Sequence, residues 1–319
     1  MEKKIPELRW APRWVSQLGC IKGSLDFLRM NISDAWVYGA TGYAFIINVS
    51  EIVCPSGPTS WNRDILAQLG KNIGYADEAI IAAKTDFDYQ QKLEKAWEKT
   101  KTAIDNGRPC FGWEMEIPEF YVIYGYDDIG YYFSGSMCDA GKGPKPWGEL
   151  GKSNIGILEM HHIKQVQPAD DILTVKQALT FSLDHAYYPE KWTSVKYKTG
   201  LQAYDNWIKA VETGQANSWG MAYNAMVWRE CREMAVKFLM EAQRRIDGNF
   251  EKVFEDAIGP YRSIALLLKK TTELFPYPPG GDEMKDNELC KQAAGYLKEA
   301  QKTEEDALNK IQKIVNILY

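Results

Sequence analysis

Near residue 170 the hydrophobic rhythm of this 319-residue chain changes, and that change limits its folds more than any single motif. Before it, short apolar runs that read as strands alternate with segments of helical period. "CIKGSLDFLRMN" puts Ile21, Leu25 and Leu28 on one helical face, while "SWNRDILAQLG" and "DFDYQQKLEKAWEKTKTAIDNG" read as helices closed by glycine. "GYAFIINVS", "RPCFGWEMEI" and "IGILEMHHIKQV" have strand character, and "PEFYVIYGYDDIGYYFSG" reads as a hairpin turning at Asp127–Gly130. "CDAGKGPKPWGELGKSN" reads as a long Gly- and Pro-rich loop. After residue 170 nearly every segment is helical. Leu201, Tyr204, Ile208 and Val211 share a face, and "MAYNAMVWRECREMAVKFLMEAQRRIDG" ends in basic residues and glycine, as a helix C-terminus should. In the last segment Tyr296, Leu297, Ala300, Ala307, Leu308, Ile311 and Val315 recur at near-heptad spacing, for packing on its own domain or on a second subunit. The pattern predicts an α+β domain over residues 1–168 and a helical domain over 169–319 that covers a ligand cleft between them.

Composition excludes several classes. A chain that is 45% hydrophobic is too apolar for disorder, and a net charge of −5 without a basic run argues against a nucleic-acid surface. No signal-peptide run and no membrane span is legible, so a cytoplasmic location is expected. The six cysteines form no CxxC pair, which speaks against zinc and against a disulfide framework; neither metal nor cofactor is expected. Aromatic residues make up 13% of the chain, a density that suits either a large core or a ligand cleft.

Two stretches carry chemistry. In "SQLGCIKGSLDFLR", Cys20 stands where a glycine-led turn reads as passing into a helix, a place where backbone N–H groups and the helix dipole favour a thiolate. A buried packing cysteine fits the same position. In "PEFYVIYGYDDIGYYFSG", Glu119 stands at the mouth of an aromatic strand.

Taken together, "GCIKGSLDFLR" resembles the nucleophile helix of papain-like cysteine peptidases of the C39-like type, and "EFYVIYGYDDIGYYFSG" resembles the strand that carries their histidine. "GATGYAFIINVSEIVCPSGPTSWN" is similar to the family of the butirosin biosynthesis protein H N-terminal domain and its bacterial relatives. The resemblance spans most of residues 10–165 and implies a central antiparallel sheet with an N-terminal nucleophile-type helix. It puts Cys20 at the nucleophile, Glu119 at the histidine position and Gln17 nearest the oxyanion-hole glutamine. The orienting Asp or Asn falls near Ser134–Gly135, which cannot do that job.

A thiol of ordinary pKa, about 8.5, needs a positive partner, and an ionised Glu119 beside it would raise its pKa. The leading expectation is therefore a catalytically degenerate protein that binds a small polar ligand, with an amine as one option. Carboxylate and ring faces both attract cations, which nominates Trp113, Glu114, Tyr121 and Tyr126 beside Glu119. Glu114 and Glu116 would share one strand face, Glu116 being solvated. Tyr43, Asn224 and Trp228 are further ligand-contact candidates; Met221, Asn224 and Trp228 share a helical face, where Asn224 is either a buried structural amide or a ligand contact.

The alternative is an enzyme, a thiol acyltransferase or amide hydrolase using Cys20 with His161 or His162 as base. By resemblance, acyl transfer would need an acyl-carrier-protein partner. His161 and His162 would point to opposite faces of a strand, and His185 reads as a helix-end residue. A third option is a structural protein that forms a homodimer through its last helix.

Overall fold

A computed structural model describes residues 2–246, 248 and 250–318. Asp247 and Tyr319, at the ends of two expected helices, lie outside the described residues. The first half of the chain runs β1 (Lys3–Lys4), α1 (Ser16–Phe27), α2 (Asp34–Ala40), β2 (Asn48–Ser50), α3 (Asp64–Asn72), β3 (Tyr75–Asp77), β4 (Ile80–Ala83), α4 (Tyr89–Asp105), β5 (Cys110–Trp113), β6 (Phe120–Tyr126), β7 (Gly130–Gly135), β8 (Lys142–Pro146) and β9 (Ile157–Gln165). There follow α5 (Asp171–Tyr187), α6 (Pro189–Trp192), β10 (Tyr197–Thr199), α7 (Gly200–Glu212), α8 (Ser218–Arg245), α9 (Glu251–Leu274) and α10 (Asn287–Ile317).

Two compact units result, one of residues 1–33 and 73–168, the other of 34–72 and 169–319. One boundary lies between residues 168 and 169, where the sequence rhythm changes. The segment 34–72, however, clusters with the helices and not with the α+β unit in which the sequence reading placed it. Its strand β2 finds its partner there: it pairs antiparallel with β10, Asn48 opposite Thr199. The second unit is thus not all-helical; it carries a two-stranded ribbon.

The α+β unit is built on an antiparallel sheet of order β3-β9-β5-β6-β7-β8, with β4 also on β9 and β1 on β6. Alternation along each strand sorts the side chains between two faces. Cys110, Tyr121, Ile123, Tyr131, Phe133, Leu158 and Met160 pack with Leu93, Ala96 and Trp97 of α4 into one core layer. Residues of the other parity, Phe111, Trp113, Phe120 and His161, pack together on the opposite face. Helix α1 lies against β6. The expected hairpin is β6–β7, with Asp127 Oδ1 accepting the Ile129 and Gly130 N–H groups in its turn. The expected long loop after it contains β8, an edge strand on β7.

In the second unit α10 packs on α9, α7 and α5. Leu297, Ala300, Ala307, Leu308, Ile311 and Val315 are all buried there, so the near-heptad seam is spent inside its own unit. An ion pair between Arg232 of α8 and Glu304 of α10 crosses the same core at 2.9 Å, with both side chains almost fully buried.

Candidate functional site

Helix α1 begins at Ser16, after Val15 leaves the chain extended, so Cys20 is its fifth residue and not a first-turn residue as expected. What seats the helix is a pair of glycines one turn apart. The extended arm Arg9–Ala11 crosses α1 at Gly19 and Gly23, and the Ala11 N–H donates to the Gly19 carbonyl at 3.2 Å. A Cβ on Gly19 would stand 2.4 Å from the Ala11 oxygen, and one on Gly23 2.0 Å from the Arg9 oxygen. The "GCIKG" stretch is therefore a backbone-approach device. Cys20 is fully buried, and its thiol pKa is pushed well up, first by burial and then by the negative charge of Glu119. Burial and a neighbouring negative charge both disfavour the thiolate, the reactive form of a cysteine.

Ser16, which the sequence reading passed over, is the residue that meets Glu119. Its hydroxyl donates to the Glu119 carboxylate and accepts the Phe120 N–H at 3.0 Å. Gln17, the oxyanion-hole candidate, is buried beside it in the first turn of α1. Glu119 itself is half-buried and ends a tight connection in which the Glu114 N–H donates to the Glu119 carbonyl at 2.8 Å.

The two adjacent histidines of β9 do different work. His161 lies between Asp77 and Glu159, its Nδ1 at 2.7 Å from the first and its Nε2 at 2.9 Å from the second. Burial opposes its charge, yet the two carboxylates outweigh burial and raise its pKa to about 9. Its ring stacks on Phe111 at 4.4 Å and meets Phe120 edge-on. With both nitrogens committed to carboxylates, His161 has none left to serve as a base for a thiol. His162 bonds Thr100 and the Glu78 carbonyl and is held neutral by burial, its pKa lowered to about 4. Asp77 gave no signal in the sequence, since the β3–β9 pairing brings it to His161, whereas Glu159 stands two residues before His161 on the same strand.

The aromatic candidates divide between the faces. Trp113 packs edge-on against Phe120 at 5.0 Å, near the Ser16–Glu119 contact, and its indole N–H has no partner among the described residues. Tyr121 points the other way, fully buried in the α4 layer with its hydroxyl accepting the Ile117 N–H. Tyr126 donates to Asp105 of α4. Glu114 and Glu116 do not share a strand face, because β5 stops at Trp113 and Glu114 turns the chain at φ +59°. Glu114 accepts from Ser153, and Glu116 pairs with Lys142.

Tyr43, Asn224 and Trp228 belong to the second unit, where each is hydrogen-bonded within the chain. The Tyr43 hydroxyl donates to the Pro58 carbonyl. Asn224 donates to the Cys54 and Gly220 carbonyls and accepts from the Trp228 indole at 2.9 Å. All three are buried. The amide of Asn224 is satisfied on both sides, and it fixes the "CPSGPTSWN" loop to α8.

Among the described residues no group of His, Cys, Asp and Glu side chains is arranged to hold a metal ion, and no helix is long and apolar enough to cross a membrane. Compared with known protein families and curated proteins, the chain matches none.

Proposed function

We propose that the α+β unit is a papain-like domain whose thiol chemistry is lost and whose remaining task is recognition of a small, polar, amine-bearing ligand beside Glu119. The observation that carries the first part is the state of Cys20: buried, central in α1, and made less acidic by burial and by Glu119. Glu119, at the histidine position of the resemblance, bonds Ser16 and so belongs to a polar tie between helix and sheet. For the ligand class, support comes from the chemistry around that tie. A half-buried carboxylate precedes Phe120, whose ring packs on that of Trp113, a set that favours a cation over a neutral solute.

Iodoacetamide labelling followed by peptide mapping tests the loss of thiol chemistry. The partly exposed Cys54 and Cys138 should label in the native protein, with Cys20 labelled only after unfolding. Rapid native labelling of Cys20 at neutral pH would restore the acyltransferase or hydrolase reading. The ligand class is tested by thermal shift with primary amines against their neutral alcohol analogues, in wild type and Glu119→Gln. Equal shifts for both series would remove the amine from the proposal.

A further inference from the structure

The far end of α1, away from Ser16, holds a groove of about 300 Å³ lined by Glu7, Arg9, Trp10, Asp26, Phe27 and Arg29. Helix α1 closes there in a Schellman motif: the Arg29 N–H donates to the Asp26 carbonyl and the Met30 N–H to the Leu25 carbonyl, both at 2.9 Å. The residue after the C-cap in such a motif takes the left-handed conformation and is usually glycine. Here it is Arg29, at φ +57°. An L-residue pays a conformational cost at that position, so the side chain must supply something that glycine would not.

Arg9 reaches the same groove because Gly19 and Gly23 let the N-terminal arm lie directly on α1. Its guanidinium donates to the Leu8 carbonyl, and neither it nor Arg29 pairs with a carboxylate among the described residues. Asp26 is already engaged by Lys22. Two guanidinium groups without acidic partners therefore face one groove that also offers the Trp10 and Phe27 rings. A favourable interaction with the negative end of α1 would account for a basic residue at Arg29. It would not account for Arg9, nor for the choice of a strained arginine over glycine.

We propose that this groove binds a small oxyanion-bearing molecule, its phosphate or carboxylate group held between Arg9 and Arg29 by charge-assisted hydrogen bonds. The site lies apart from Glu119 and stands or falls independently of the reading given for it.

Calorimetric titration of the whole protein with inorganic phosphate and, separately, succinate tests this and separates the two oxyanion types. Saturable binding of at least one probe is expected, weakened about tenfold in Arg9→Gln and in Arg29→Gly, the loss of roughly one charge-assisted contact each. Glu7→Gln should tighten it by removing a negative charge from the groove lining. Arg29→Gly should also raise the melting temperature, since glycine relieves the left-handed strain, so lost binding there could not be blamed on misfolding. Lys95→Gln, an exposed lysine on α4, should change nothing. The proposal is overturned by no saturable binding of either probe, by unchanged binding in Arg29→Gly or Arg9→Gln, or by an equal loss in Lys95→Gln.

Discussion

The hydroxyl of Ser16 donates to the Glu119 carboxylate and accepts the N–H of Phe120, so one small side chain fastens the first turn of α1 to the start of β6. Ser16→Ala removes both contacts and leaves the buried Phe120 N–H without that acceptor. Loss of a hydrogen bond to a charged group costs about 1.5–3 kcal/mol. The loss should appear as a lower urea midpoint with an unchanged slope, and Ser16→Thr should recover part of it. A midpoint equal to wild type would mean that the tie does not hold α1 in place.

The glycine pair under the N-terminal arm makes a sharper claim, because the clash is with backbone and cannot be relieved by a rotamer. Gly19→Ala and Gly23→Ala should each cost about 1–3 kcal/mol, the range for overpacking. Gly295 supplies the opposite case: it lies inside α10 with nothing within 4 Å of an added Cβ. Gly295→Ala should stabilise by about 0.5–1 kcal/mol through helix propensity alone. Thermal melts of the three variants read both signs at once.

These two relationships show which layer of the structure was legible beforehand. The β6–β7 hairpin and the helices after residue 170 follow from periodicity, a local property of the chain. The membership of residues 34–72 in the second unit does not, since it is decided by β2 pairing with β10 across more than a hundred residues. Cys20 drew attention because a cysteine after glycine looks like a nucleophile, but Gly19 is there for the Ala11 carbonyl. Ser16 carries no local signal, because its partner Glu119 lies about a hundred residues away in the chain. Face assignment was the other gap: Trp113 and Tyr121 sit in one aromatic stretch, yet strand alternation sends them to opposite sides of the sheet.

The Arg232–Glu304 pair offers a test of what a buried charge does in the second unit. Arg232 also donates to the carbonyls of Ala44 and Ile46, and the Tyr204 hydroxyl donates to Glu304. Removing one partner strands a charge in a dry core, so Arg232→Met or Glu304→Leu alone should cost about 3–5 kcal/mol. The double variant should recover most of that, because two apolar side chains leave no unpaired charge. Equal losses in the double and the singles would show that the carbonyl and tyrosine contacts, rather than the pair, hold the network together.

The buried histidines set opposite limits on the pH range of stability. His185 is held neutral by burial and, secondarily, by the charge of Arg232, with its pKa lowered from 6.5 to about 3. The unfolded chain therefore takes up a proton that the native state refuses, and stability falls as pH drops from 6.5 towards 3. His161 behaves in reverse. Its charge is favoured by Asp77 and Glu159, so its contribution is complete below pH 6.5 and is lost as pH rises through about 9. His162 of the α+β unit, lowered to about 4 by burial, adds to the acid limb with His185 of the second unit, while the alkaline limb belongs to His161 of the α+β unit. His185→Phe should flatten the acid limb by about 1.4 kcal/mol per pH unit over its window, and His161→Gln should flatten the alkaline one. Melting temperatures measured across both limbs decide the matter. An acid limb unchanged in His185→Phe would place the responsible proton on another group.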